Sequence, residues 1–397
     1  VKRLPVVLAY ASFVLIGVKA GATGVLLPAQ IADYHVDKAS IGITFFALSA
    51  GFVVAGGAAG DLMHRLGSRL TLALGGGAFA LGQLLLAARP PFIMFVLIHV
   101  LSGFGGGVLE SVLNAHLTGL RGATTLLNRL HAFFGVGALL GPLLAAWLLG
   151  FSSWTAVLAL IGVAAVPLVI GFLLAYPRRT PGPPPEPGGG PERGLLASAL
   201  RERGVLLGAT LLSVYVGLEI GVGNWAFSYL VEERGHGATL AGYTVSGYWF
   251  GLTLGRFLIS PIATRLRLDA AAMMYACMAA VTASATLAWL VPGSVAATAG
   301  LALLGFFLGP IFPTTMAVAP DITTARLVPT AIGVMNAGSV AGGSLLPWLA
   351  GAIAQGVGVW TLLPFAVVLA VAQWLVWWRL VRRMRSAHGA IARPNGR

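Results

Sequence analysis

Along this chain, long apolar runs alternate with short polar breaks. Uninterrupted runs of about 18 residues or more mark membrane-spanning helices. Twelve are predicted here, over 5–29, 40–62, 70–88, 92–118, 126–150, 153–176, 204–231, 240–263, 269–291, 295–318, 328–353 and 358–380. They are continuous and rich in Leu, Ala and Gly, whereas a membrane β-barrel shows segments of about ten residues with alternating polarity. The predicted class is therefore an all-α membrane protein. The first run lacks a small-residue cleavage site followed by a soluble body, and is expected to be a retained span rather than a signal peptide. One break differs from the rest: between spans six and seven the chain reads Pro181, Pro183, Pro184, Pro185 and Pro187, then Gly188 to Gly190. Such a stretch cannot build a packed core and is a linker. The expected layout is a six-helix bundle over 1–176, a linker over 177–203, and a second six-helix bundle over 204–397 ending in a short basic tail.

Composition sharpens this picture. Of 397 residues, 57% are hydrophobic and 9% charged, against about 25% charged in soluble proteins, so lipid must solvate most of the exterior. Gly is abundant, at 54 residues, as suits helices that pack closely in a bilayer. The single cysteine, Cys277, excludes an intramolecular disulfide. The net charge of +13 is a topological signal, because basic residues accumulate on the cytoplasmic side. With the N-terminus inside, nearly all Lys and Arg fall on that side. Lys38, Arg89 and Arg234 fall opposite, and Lys19 and Arg256 lie within spans. Both termini and the linker are thus expected to be cytoplasmic, in an inner membrane. No basic face interleaved with aromatics is present, which argues against nucleic acid. Metal-ligand clusters, serine elbows and Cys pairs are missing, so no enzyme, metal or cofactor is expected. Gly75–Gly77 and Gly105–Gly107 sit inside spans without a following Lys-Ser/Thr, which rejects a phosphate loop.

The two halves echo each other. Span four carries Gly103-Phe104-Gly105-Gly106-Gly107 and span ten Gly305-Phe306-Phe307-Leu308-Gly309; span five has His131, Gly137 and Pro142, and span eleven Asn336, Gly342 and Pro347. Gly60-Asp61-Leu62-Met63-His64-Arg65-Leu66-Gly67-Ser68-Arg69 follows span two and resembles the loop motif of major facilitator transporters, G-x-L-x-D-R-x-G-R-R. His64 stands where that motif has Asp, and Asp61 lies nearly one turn earlier. Leu127 to Gly135, Tyr215 to Glu219 with Asn224-Trp225, and Glu110 are similar to the fucose/glucose–proton symporter branch. That branch has an Asn-Asp pair in span one; here Thr23 to Pro28 lacks the acid and Lys19 sits nearby. The resemblance implies twelve transmembrane helices in two pseudo-symmetric halves, with spans 1, 4, 7 and 10 around a central cavity. It also implies alternating access and a secondary active transporter that moves a small polar solute, a monosaccharide foremost, with protons. An exporter of amphipathic drugs or lipids shares the fold and is the alternative.

Ionisable groups inside spans cost roughly 2.5–3.5 kcal/mol on insertion scales and mark function. Glu110 and Glu219 are the candidate proton-coupling residues. Glu110, with Asn114 one turn on, can offer a carboxylate and an amide to a sugar hydroxyl. Glu219, Asn224 and Trp225 place polar groups beside an aromatic face suited to a pyranose ring. Lys19 is a candidate for a pair with Glu219, for attracting an anionic solute, or for a structural role. Trp249, His131 and Asn336 complete the substrate-binding set, and Asp61, Arg65, Arg69 and Arg256 the gating set. The expected partners are the solute, protons and lipid around a monomer.

Overall fold

The computed structural model describes residues 3–177 and 195–391. The proline-rich core of the linker and the extreme basic tail lie outside these residues. Everything regular among them is helical.

Helix α1 (Arg3–Tyr34) is one apolar span. Helix α2 (Lys38–Ala87) starts at Asp37, whose Oδ1 accepts from the Ser40 N–H at 2.6 Å, so a first-turn donor of the helix is capped. At 50 residues α2 is about 75 Å long, far beyond the roughly 30 Å a bilayer core needs. Gly67 breaks it with φ 76° and ψ 163°, a backbone region open to glycine. Predicted spans two and three therefore meet at a glycine corner with no irregular loop between them. Helices α3 (Phe92–Thr118), α4 (Ala123–Leu149) and α5 (Trp154–Ala175) complete the first half.

The second half opens with the short α6 (Leu195–Arg201). Helix α7 (Arg203–Ser228) follows, extended by a π-turn over Tyr229–Glu233, then α8 (Ala238–Arg265) and α9 (Ala270–Leu290). Predicted span ten is divided into α10 (Ser294–Leu308) and α11 (Ile311–Ala317) because Pro310 lacks the N–H that would continue the ladder. After α12 (Ala319–Ile322) come α13 (Val328–Gly356) and α14 (Leu362–Ile391). Ten stretches among the described residues are long and apolar enough to cross a membrane. Helix α2 holds two crossings, and α8, with 28 residues, supplies the last although its polar side chains dilute its hydropathy. Twelve spans, six in each half, is the resulting count.

The exterior is apolar: Ile93 and Leu174 are 74% and 77% exposed. Buried polar side chains find partners on neighbouring helices, as when Gln83 Nε2 on α2 donates to Ser102 Oγ on α3 at 2.6 Å. Packing repeats between the halves. Helix α1 meets α4 where Gly137 lies on the Val14 carbonyl, and α7 meets α13 where Gly342 lies on the Ser213 carbonyl. The first stretch of α2 meets α3 through Gly51 and Gly103, and α8 meets α10 through Gly251 and Gly255. The glycine echo in the sequence is thus an echo in helix contacts.

The chain divides into two compact units that interlace along the sequence. The first contains Val1–Glu186, Gly223–Phe250 and Gly351–Val359; the second contains Pro187–Val222, Gly251–Ala350 and Trp360–Arg397. The first unit therefore includes ends of α7, α8 and α13.

Candidate solute and proton site

In the first unit, Lys19 lies half-buried in the middle of α1 and makes no ion pair among the described residues. His99 on α3 lies within electrostatic reach of it. The His99 Nδ1 sits 2.8 Å from the Phe95 carbonyl; a carbonyl only accepts, so Nδ1 carries the proton and Nε2 is left as the acceptor. Glu110, half-buried on the same helix, also has no ion-pair partner among the described residues. Its expected neighbour Asn114 is differently engaged: Asn114 Nδ2 donates to the Glu110 backbone carbonyl at 2.8 Å, not to the carboxylate. The amide is spent on the helix, and its Oδ1 is what remains to offer.

Three expected solute contacts in this unit are buried. Trp225 is 1% exposed and Trp249 3%, with Asn224 also buried. Phe45 meets Trp225 edge-on with ring centroids 6.3 Å apart, and a Cβ at Gly223 would meet the Trp249 ring at 2.5 Å. The aromatic face expected to greet a sugar is packing in this state. His131 is exposed on α4 and meets the Phe13 edge at 5.6 Å. Of the expected gating residues, Arg65 Nε bonds Asp61 Oδ1 at 2.9 Å across one exposed turn, so Asp61 is the acid beside Arg65 where the motif's own position holds His64. Arg69 lies two residues beyond the Gly67 corner.

In the second unit, Glu219 is 7% exposed and takes Arg256 as its counter-ion, with Nη2–Oε1 at 3.1 Å. Arg256, expected in the gating set, stands beside Glu219, and the Lys19–Glu219 pair considered from sequence is not among the ion pairs of the described residues. A guanidinium on α8 thus answers a carboxylate on α7 that burial makes costly without a cation. Tyr215, one turn before Glu219, is fully buried, packs on Phe312 at 6.0 Å, and interacts with both charges of the pair. Asn336 is exposed on α13 and its backbone carbonyl accepts from Ser339 Oγ at 2.7 Å.

Two participants escaped the sequence reading. Tyr215 is four residues from Glu219 and so shares its helix face, a signal that was present but assigned no role. His99 is ionisable and mid-span like the four charges singled out, yet formally neutral. Among the described residues no group of three or more His, Cys, Asp or Glu could hold a metal ion.

Twelve spans in two repeating halves, with charges placed inside both, together with the family they match, make this a membrane transporter rather than an enzyme. The chain belongs to the Major Facilitator Superfamily, whose sequence profile it matches over residues 9–299 and 225–395. It is 25% identical to Bypass of stop codon protein 6 of Saccharomyces cerevisiae, over 97% of this chain and 84% of that one. It is 23% identical to the glucose/mannose transporter GlcP of Bacillus subtilis, over 86% of each. The fold matches that of the nucleoside transporter NupG, with a TM-score of 0.77 at 13% identity, over 96% of this chain and 98% of that one.

Proposed function

We propose that this transporter is a proton-coupled symporter of a small polar solute, a monosaccharide foremost. In this proposal it works as a monomer by alternating access of the 1–176 and 204–397 bundles. The termini and the 177–203 linker lie on the cytoplasmic side of an inner membrane. The observation that carries the coupling is the contrast between two intramembrane carboxyls: Glu219 has Arg256 at 3.1 Å, and Glu110 has no cation partner among the described residues. A carboxyl with a counter-ion at this distance is already balanced where it stands in the bundle. One without a counter-ion in a low-dielectric bundle is stable there with a proton bound and must lose it to water, which is the behaviour of a carrier. Glu110 is therefore assigned the proton. Glu219, held by Arg256 and flanked by Tyr215, is assigned to solute hydroxyls, with Lys19, His131, Asn114 and Asn336 as further polar contacts. Trp225, Trp249 and Asn224 become available to solute only if their packing opens. Asp61, Arg65 and Arg69 at the glycine corner are assigned to the inner gate. The relative named as a glucose/mannose transporter supports a sugar as cargo.

The test is uptake into proteoliposomes of labelled glucose, galactose, fucose, a disaccharide and an organic anion, with and without an inward proton gradient. Gradient-driven accumulation of a monosaccharide is expected. No sugar flux under any gradient would overturn the assignment and bring forward the exporter of amphipathic compounds.

A further inference from the structure

Basic residues on the side opposite the termini run against the topological bias, so Lys38, Arg89 and Arg234 each call for a reason, and all three have one. Arg89 pairs with Asp33 at 3.1 Å, between ends of the first half. Arg234 Nε donates to Tyr229 Oη at 2.7 Å, within a single turn of the second half. Lys38 joins the halves. Its Nζ lies 3.0 Å from Oε2 of Glu232, in the π-turn that extends α7. Its backbone N–H donates to Gln355 Oε1 at 3.1 Å, near the end of α13. The start of α2 therefore holds the ends of two second-half helices at once, by a charge and by an amide.

Beneath this contact the same ends close without space for a side chain. A Cβ at Gly24 on α1 would meet the Gly223 and Asn224 carbonyls at 2.5 and 2.7 Å. One at Gly351 on α13 would meet the Trp225 ring at 2.5 Å and the Lys38 carbonyl at 3.1 Å. On α8, buried Ser246 donates to the Leu139 carbonyl of α4 at 2.8 Å. Contacts of this kind, backbone against backbone or ring, have no intermediate setting: they are closed or they are apart.

We propose that Lys38, Glu232 and Gln355 form a latch that locks this glycine-lined seam shut, and that breaking the Lys38–Glu232 pair is the first step in opening the far side of the transporter. The latch rests on the alternating-access reading above, but not on the identity of the cargo. Its strength suits a reversible lock. Lys38 is 16% exposed and Glu232 39%, so water and salt screen the pair, and breaking it shifts the closed–open balance by about two- to fivefold.

The test reads access to the seam with no solute or gradient present. Cys277 is the only cysteine in the chain and is buried on α9; replacing it by Ser leaves a background for a single reporter, Ser246→Cys. Reaction of that cysteine with a membrane-impermeant maleimide is expected to be slow with the latch intact. It should become about two- to fivefold faster in Lys38→Gln and in Glu232→Gln. The charge exchange Lys38→Glu with Glu232→Lys should return the rate to its starting value, and high salt should accelerate the intact protein but not Glu232→Gln. Equal rates in all variants would overturn the latch. So would acceleration that the charge exchange does not reverse, because lost packing rather than a lost ion pair would then be responsible. Failure of sugar uptake alongside the expected labelling would remove the sugar and keep the latch.

Discussion

Arg256 and Glu219 face each other in a bundle where neither charge is cheap alone. Removing the cation by Arg256→Ala leaves a carboxylate that is 7% exposed without its partner, which should destabilise the protein by about 2–4 kcal/mol. This is less than for a fully enclosed pair, because Arg256 keeps part of its surface. The double substitution Arg256→Ala with Glu219→Gln should recover much of that loss, and melting temperatures in detergent measure both. A smaller effect belongs to Asp37 at the start of α2. The Ser40 backbone N–H holds its carboxyl below the ordinary value, so the cap contributes above the usual carboxylate range and is lost as pH falls through the lowered folded value. Asp37→Ala should cost about 1 kcal/mol at neutral pH and flatten that acid-side dependence, which a melting series from neutral to acid pH reads directly. At this scale the sequence exposed the candidates, because a charge inside an apolar run stands out without any structure. It did not expose the partners. Arg256 is 37 positions from Glu219, and whether Glu110 is answered by Asn114 depends on which atom the amide chooses. Spacing says only that the two residues share a face.

Among the helices, close approach at glycine decides the packing. Adding a side chain at Gly137 would drive a Cβ into the Val14 carbonyl of α1. Gly137→Leu should therefore destabilise the first half by about 1–3 kcal/mol or more, or prevent its assembly. Gly56, in the middle of α2, has nothing within 4 Å of a built Cβ, and Gly56→Leu should be neutral or slightly stabilising through helix propensity. Parallel expression and melting of the two variants checks the contrast. The sequence located these helices well, since an apolar run of spanning length has few alternatives. What it left to the structure is backbone detail inside those spans: Gly67 turns the chain without a loop, and Pro310 interrupts span ten. The aromatic pair Trp225 and Trp249 illustrates the other limit. An aromatic beside polar residues reads equally as a sugar platform or as packing, and the opposing helices show that both rings are buried in this state.

At the level of the whole molecule, the count of spans and the distribution of Lys and Arg together predict an even number of crossings with both ends on one side. A tag at either terminus should therefore be accessible only from the cytoplasmic face of sealed vesicles, and exposure of the two ends on opposite faces would break the topology. The fold and family were legible from spans, linker and repeat, because these follow from the bilayer as solvent. The proposed coupling was legible only as a choice between two carboxyls, and the Glu219–Arg256 pair is the observation the proposal uses to distinguish them. On the proposed reading that separation assigns the proton to Glu110, and the most direct measurement is solute movement in proteoliposomes carrying Glu110→Gln. Exchange of labelled for unlabelled solute should persist near the parent rate, while accumulation driven by a proton gradient should fall at least tenfold. Accumulation in Glu110→Gln that still follows the gradient at the parent level would contradict the account.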